Sequence, residues 1–307
     1  MRRRVRKGAF LGIGIGIAFV ASAMGCSGLL GFDDFSVNPA VAQEASTGDA
    51  PGADTADTVD AGDPAFSCAN IPPPTPDPTK QVEITMRYVD YSSGKPPLLT
   101  MARLCSTTDP NCNTSRTLTG AGPGDAGEDG GTGWVIPNAD GTVSATVEYG
   151  FEGFFQARSE LYPPTFKSTS PPLRNPKNEI DQLLLRSGEI NFLADQLLGK
   201  ANAYESVGHG LVFIFARDCN NKALAGVSFT TTASDPLLQL FYVINTAPSI
   251  QDTKTDAVGR AGYLNVPPGI HTFTGFIGEG ENKRKYGSGR ILVRAGTSTT
   301  LTITPSP

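Results

Sequence analysis

The feature that most limits the fold is a period-two alternation that recurs in short runs. Val82, Ile84, Met86 and Tyr88 are apolar, and Glu83, Thr85 and Arg87 between them are polar. Val143, Ala145, Val147 and Tyr149 alternate with Ser144, Thr146 and Glu148 in the same way. Successive side chains on a strand point to opposite faces, so each run reads as a strand with one buried face. Residues 211–216 are continuously apolar, as in a strand covered on both faces. Further strands read at 227–232, 238–244, 262–266, 271–276 and 290–293, and Leu301 and Ile303 alternate with threonines in a last one. Turn clusters such as DYSSGKPP, residues 90–97, cut the runs apart. The chain has 35 Gly and 24 Pro in 307 residues, which leaves little room for long helices. The class is therefore all-β, and short strands at this spacing suggest sandwiches.

One segment departs from the pattern. Ile190, Leu193 and Leu197 recur at helical spacing, which predicts a helix over 187–199. Ser187 is placed to cap it, Glu189 suits the positive end of the dipole, and Gly199 can end it. This helix bridges two β regions that look alike. VDYSSGKPPLL (89–99) and ARDCNNKALAGV (216–227) each put an Asp, a turn and a Lys before an apolar strand. NADGTVSATV (138–147) parallels TDAVGRAGYLNV (255–266), and we read a diverged tandem repeat. Between the two β runs of the first region lies GAGPGDAGEDGGTG (120–133), a glycine-rich mobile surface loop.

The N-terminal quarter reads as address and tether. Arg2, Arg3, Arg4, Arg6 and Lys7 precede the apolar run AFLGIGIGIAFVASAM, residues 9–24. That is the secretory pattern, and the run is short for a spanning helix. Ala23-Met24-Gly25-Cys26 resembles the bacterial lipobox. The resemblance implies cleavage before Cys26, a lipid on its thiol and a bilayer as partner, with Ser27 directing the product toward the outer membrane. An ordinary signal peptide is the competing reading. Acyl chains would hold the protein firmly, at about 0.8 kcal/mol per buried CH₂. From Asp33 to Thr79 there is no Lys or Arg, and the stretch 43–64 is built largely from Ala, Gly, Thr and Asp. Low hydrophobicity and one sign of charge predict a disordered, self-repelling tether, with IPPPTPDPT (71–79) as a stiff end. The domain reading is 1–25 signal peptide, 26–79 tether, 80–175 first sandwich, 176–206 helical connector and 207–307 second sandwich.

Charge and cysteines bound the function. The chain has 25 basic and 30 acidic residues, and the leader removes five basic ones, leaving 20 against 30, a net of −10. That disfavours nucleic acid as a partner. Beyond Cys26 stand Cys68, Cys105, Cys112 and Cys219, an even number in a chain bound for an oxidising compartment. Cys105 and Cys112 close the short loop CSTTDPNC, which favours that pair and leaves Cys68 with Cys219. Zinc is the alternative, but no CxxC spacing or nearby His supports it.

The second region carries a further resemblance. TDAVGRAGYLNVPPGIHTFTG, residues 255–275, resembles the TDxxGxF…VPPGxYxV signature of carboxypeptidase regulatory-like domains, with His271 where that family has Tyr. LVFIFARDCNNKALAGVSF and GRILVRAGTSTTLTITP resemble the family's opening and closing strands. The resemblance implies two tandem transthyretin-like or Ig-like β-sandwiches, close over 207–307 and loose over 80–170. The signature is structural and supplies no nucleophile or base.

No catalytic set stands out, and no cofactor or metal is called for. His209 and His271 are the only histidines, and the chain has no GxSxG elbow for a hydrolase. An intradiol dioxygenase shares the general architecture and binds iron through two Tyr and two His, but 61 residues separate these histidines and a His-x-His pair is missing. Asp125, Glu128 and Asp129 offer oxygen ligands for calcium, although a solvated loop explains them as well. Phe151, Phe154 and Phe155 form a candidate platform for a glycan or peptide; alternation puts Phe151 and Phe155 on one face and Phe154 on the other. The preferred reading is a non-enzymatic, lipid-anchored envelope protein with structural or adhesion modules. A glycan- or peptide-binding module, engaging a glycan or an envelope protein, is the second.

Overall fold

A computed structural model of the chain describes residues 64–97, 100–123, 133–170, 172–245 and 247–306. The signal peptide, Cys26, the tether as far as residue 63 and the carboxylates Asp125, Glu128 and Asp129 lie outside the described residues.

The fold is mostly β with a single α-helix among the described residues. The first half runs β1 (Asp77–Asp90), β2 (Met101–Ser106), β3 (Gly122–Pro123), β4 (Val135–Ile136), β5 (Thr142–Tyr149), β6 (Gly153–Arg158), β7 (Thr165–Ser168) and β8 (Lys177–Leu184). Helix α1 (Ser187–Leu198) follows. The second half runs β9 (Gly210–Ala216), β10 (Ser228–Thr231), β11 (Gln239–Ile244), β12 (Ala247–Ser249), β13 (Arg260–Val266), β14 (Gly269–Ile277), β15 (Arg284–Val293) and β16 (Ser298–Ile303).

The repeat seen in the sequence is a repeat of strand order. β1 pairs antiparallel with β5 and parallel with β8. β9 pairs antiparallel with β13 and parallel with β16. β6 lies between β2 and β7, all antiparallel, and β14 lies likewise between β10 and β15. The matching turns agree atom by atom. Tyr88 N–H donates to the Gly141 carbonyl at 2.9 Å, and Ala216 N–H donates to the Gly259 carbonyl at 2.7 Å. Gly141 and Gly259 both have positive φ, +82° and +65°. A Cβ there would meet the carbonyl oxygen of Tyr88 at 2.5 Å or of Ala216 at 2.6 Å, so only glycine fits either turn.

The halves are not beads joined by a helix alone, which corrects the tandem reading. β7 pairs in parallel with β16, so the strands of both halves fuse into one ten-stranded sheet, β12-β11-β13-β9-β16-β7-β6-β2-β4-β3. Two three-stranded sheets, β5-β1-β8 and β10-β14-β15, complete the sandwiches. Paired residues share a face, so the register fixes which side each small sheet covers. Phe155, in the first core, pairs with Lys167, which pairs with Thr300, which pairs with Phe213 on the helix side. Val212, Ile214 and Leu301 point the other way, into the second core. The small sheets therefore cover opposite faces of the shared sheet.

Three apolar clusters hold this arrangement. Ile84, Met86, Leu104, Val143 and Phe155 anchor the first sandwich, and Ile214, Phe273, Val293, Leu301 and Ile303 the second. Ile190, Ala194 and Leu197 of α1 pack on Leu211, Phe241 and Leu264. Residues 211–216 are thus covered on both faces, as their apolar run predicts.

Three boundaries move. The first sandwich extends to Leu184, because β8 pairs with β1; eight residues of the stretch 176–206 expected as connector are strand. The fold also begins before residue 80. A 3₁₀ turn at Pro64–Phe66 docks on the second half, and β1 starts at Asp77. Residues 64–79, expected as tether, are fastened to the body. Finally, the residue capping α1 is Arg186 rather than Ser187; its N–H donates to the Glu189 carboxylate at 2.7 Å, and Gly199 ends the helix at φ +63°.

Candidate functional site

Each predicted site residue can now be placed. Cys68 and Cys219 are bonded, with Cα atoms 5.6 Å apart, and so are Cys105 and Cys112, 5.3 Å apart. The first bond fixes the chain's N-terminal approach to the turn after β9. Cys219 N–H also donates to the Ala65 carbonyl at 3.0 Å, and Phe66 packs against the second core. Beyond it, Arg174 donates to the carbonyls of Ile71 and Pro72 at 3.1 and 2.7 Å, carrying the segment across to the first half.

The three-ring platform does not form. Phe151 and Phe155 are 3% and 1% exposed and belong to the first core. Phe154 alone faces outward, with its ring 5.8 Å from Phe166. The Arg294 guanidinium lies 5.5 Å from the Phe154 ring and 4.4 Å from that of Phe166. On the same face Trp134 is sandwiched between Arg103 at 4.5 Å and Arg158 at 4.3 Å. Arg103 Nε also donates to Gln156 Oε1 at 2.9 Å. Sequence reasoning missed this arginine–aromatic face. Its signal is the outward phase of β6, where Phe154, Gln156 and Arg158 alternate with buried Phe155 and Ala157.

The two histidines have different partners. His271 Nε2 contacts the Pro267 carbonyl at 2.8 Å, at the strand corner. His209 lies between two carboxylates, Nδ1 2.9 Å from Glu205 and Nε2 3.2 Å from Asp235. Three tyrosine hydroxyls have structural partners, while that of Tyr88 is buried without one among the described residues. Tyr162 donates to Asp90, Tyr242 contacts the Phe229 N–H, and Tyr286 donates to the carbonyls of Arg217 and Ile303. Each histidine thus has a protein partner of its own. Among the described residues no group of three His, Cys, Asp or Glu is placed to hold a metal.

Two buried charges mark the joint. Asp90 accepts from Tyr162 and from the Ser93 N–H at 2.8 Å, and pairs with Arg186 at 3.2 Å. Burial opposes its charge, but bonds from Ser93, Tyr162 and Ser92 outweigh that and hold its carboxyl down at about 2. Lys167 is 5% exposed and donates to Thr302 Oγ1 at 3.0 Å. Burial, helped by Arg217, pushes its ammonium down to about 7. The Phe215 ring lies 5.3 Å from the ammonium, and the charge of Asp181 opposes the downward shift. Of the rings on the arginine–aromatic face, Trp134 and Phe166 are 3% and 4% exposed, which leaves Phe154 as the more open one.

No protein-family model matches the chain, and no curated protein matches it. Solved structures do. The Bacillus anthracis TIE protein matches 73% of this chain and 34% of its own at 12% identity and a TM-score of 0.22. A streptococcal ancillary pilin matches 74% and 63%, at 13% identity and 0.22. The shaft pilin SpaA of Lactobacillus rhamnosus GG matches 74% and 99%, at 9% identity and 0.22. This chain thus spans about a third of the first protein and under two thirds of the second. Superposition this shallow transfers neither a function nor a detailed fold.

Proposed function

We propose that this chain is an exported lipoprotein, anchored at the outer membrane or elsewhere in the cell envelope through acylated Cys26, whose tandem β-sandwiches serve as non-enzymatic structural or adhesion modules. The observation that carries the reading is the disulfide pair. Cys68–Cys219 and Cys105–Cys112 are what an oxidising compartment permits, and they take up every cysteine after Cys26. Cys26 is left as the single thiol, at the end of a basic and apolar leader. No described helix is long and apolar enough to cross a membrane; the anchor in this reading is the lipid on Cys26. Both histidines are engaged in bonds that fix loops, which supports a non-enzymatic role. The turn glycines Gly141 and Gly259 support the finer reading of two carboxypeptidase regulatory-like, transthyretin-like repeats.

The test is mass spectrometry of the mature N-terminus from the membrane fraction, with palmitate labelling alongside. A diacylglyceryl Cys26 as first residue is the expected result. A free thiol at Cys26, or cleavage at another bond, defeats the anchor. The second reading, a glycan- or peptide-binding module, now rests on Phe154, since Phe166 and Trp134 beside it are 4% and 3% exposed. A glycan and peptide array probed with native chain and with Phe154→Ala separates the two readings.

A further inference from the structure

We propose that His209 is a proton-operated latch: charged, it fastens the loop between β10 and β11 to the segment entering β9; neutral, it lets that loop go. The inference is independent of the anchor and of any ligand.

The geometry favours the charged ring. Both ring nitrogens face carboxylate oxygens, Nδ1 to Glu205 at 2.9 Å and Nε2 to Asp235 at 3.2 Å. A carboxylate can only accept, so both nitrogens must carry hydrogen, which is the imidazolium. A neutral ring has one N–H, and one of the two contacts then becomes lone pair against charge.

The arm that fails is set by the surroundings. Glu205 is four residues from His209 and is also held by the N–H groups of Gly208 at 2.8 Å and Val207 at 3.2 Å. That arm is local and short. The His209 backbone is fixed as well, its carbonyl accepting from Gly296 N–H at 2.9 Å and from Tyr204 at 3.3 Å. The neutral ring therefore keeps Nδ1–H on Glu205 and turns the lone pair of Nε2 toward Asp235. Asp235 belongs to the other loop and holds its turn through Leu237 N–H at 2.8 Å. Without the latch, that loop keeps the neutral amide of Asn265, which donates to the Leu237 carbonyl at 3.3 Å.

The charged groups that face His209 are Glu205 from its own segment and Asp235 from the β10–β11 loop. β13 contributes the uncharged Asn265, and the β15–β16 turn contributes the Gly296 N–H. Burial works against the charge, but the two carboxylates outweigh it and raise the ring above its ordinary 6.5. The sign follows. A raised value means the latch contributes in full below 6.5 and is lost as pH climbs through the higher folded-state value. Val207, 88% exposed, and Leu237, 42% exposed, stand on the two latched loops, so the latch governs how this apolar pair is presented.

The chain has two histidines, which makes imidazole NMR of the mature protein a direct test. His209 should titrate above 6.5 and settle as the Nδ1–H tautomer at high pH. Hydrogen exchange at the Leu237 and Leu238 amides should accelerate through the same midpoint, by roughly tenfold for each unit by which the midpoint is raised. Asp235→Asn should lower the midpoint and abolish the pH dependence of that exchange. His271→Gln should leave both readings unchanged. A midpoint at or below 6.5, a wild-type exchange rate that ignores the His209 titration, or an Asp235→Asn variant that keeps it would each overturn the latch.

Discussion

The two halves share a strand order and tie down the same turn with different chemistry. After β1, Asp90 takes the Ser93 N–H on one oxygen; after β9, Asp218 takes the Asn220 and Lys222 N–H groups at 2.8 and 2.7 Å. The N–H of each Asp donates at 2.8 Å to a lysine carbonyl, Lys95 or Lys222. Beyond the turn the halves part. In the first, Tyr162 and Arg186 close on Asp90, so a loop and the helix start are bound by charge. In the second, the next residue is Cys219, and the tie is covalent, to Cys68. A repeat can thus keep its backbone while its cross-links diverge, because the turn itself needs only an Asp and its amide donors.

The covalent tie should give the larger effect. Cys68 and Cys219 are 151 residues apart and enclose the whole first half; Cys105 and Cys112 are seven apart. Closing a longer loop restricts the unfolded chain more. Replacing both Cys68 and Cys219 by Ala should cost about 4 kcal/mol, and replacing Cys105 and Cys112 about 2 kcal/mol, measured by urea unfolding. Equal losses would show that the long bond staples nothing the sheet does not already hold.

The joint between the halves gives the next effect, with opposite sign. β15 is the counterpart of β7 and ends its sheet, touched by Ser306 N–H on the Tyr286 carbonyl at 3.1 Å, with Lys285 and Arg290 exposed. Charged residues suit such an edge. Lys167 occupies the same kind of strand, but β16 docks there and buries it. Its folded value near 7 lies below its ordinary 10.5, so between those values the unfolded chain binds the extra proton. Stability should rise with pH through that window, and the cost of Lys167 is complete below about 7. Lys167→Met should therefore stabilise by about 3 kcal/mol at pH 7 and by little above pH 10.5. An advantage that stays constant from pH 7 to 10.5 would place the amine in water.

What was legible in the sequence followed from local rules. Period-two runs found β1, β5 and the strands of the second half, and helical spacing with Gly199 found α1. The Asp-turn-Lys and Gly-turn pairs found the repeat, since both depend on neighbours a few residues away. The joint was not legible. β7 is only Thr-Phe-Lys-Ser, and nothing in four residues announces a parallel partner more than 130 positions on. β8 reads as connector in the sequence because its outer residues, Lys177, Glu179 and Asp181, belong to an exposed edge. The phenylalanine platform failed for a related reason. Phe151 precedes the strand, so its burial is set by the turn at Gly150 and Gly153, not by alternation.

The smallest effect separates the two turn aspartates, and acid reveals it. Asp90 and Asp218 are both buried and both serve the same turn, so a purely structural account gives their Asn variants equal costs. Electrostatics does not. Asp90 is held at about 2, below its ordinary 3.8, against the cost of its burial, by bonds from Ser93, Tyr162 and Ser92. A lowered carboxyl stabilises the fold above 3.8, and that stability drains away as pH falls through about 2. Asp90→Asn should thus cost about 2 kcal/mol at pH 7, and its difference from wild type should shrink steadily between pH 4 and pH 2. Asp218→Asn keeps the side-chain oxygen that the Asn220 and Lys222 N–H groups need, so it should cost about 1 kcal/mol. Urea midpoints of the variants at pH 2, 4 and 7 decide the matter. Parallel curves would mean that Tyr162 and Arg186 add no charge-dependent grip, and the difference between the halves would reduce to the disulfide alone.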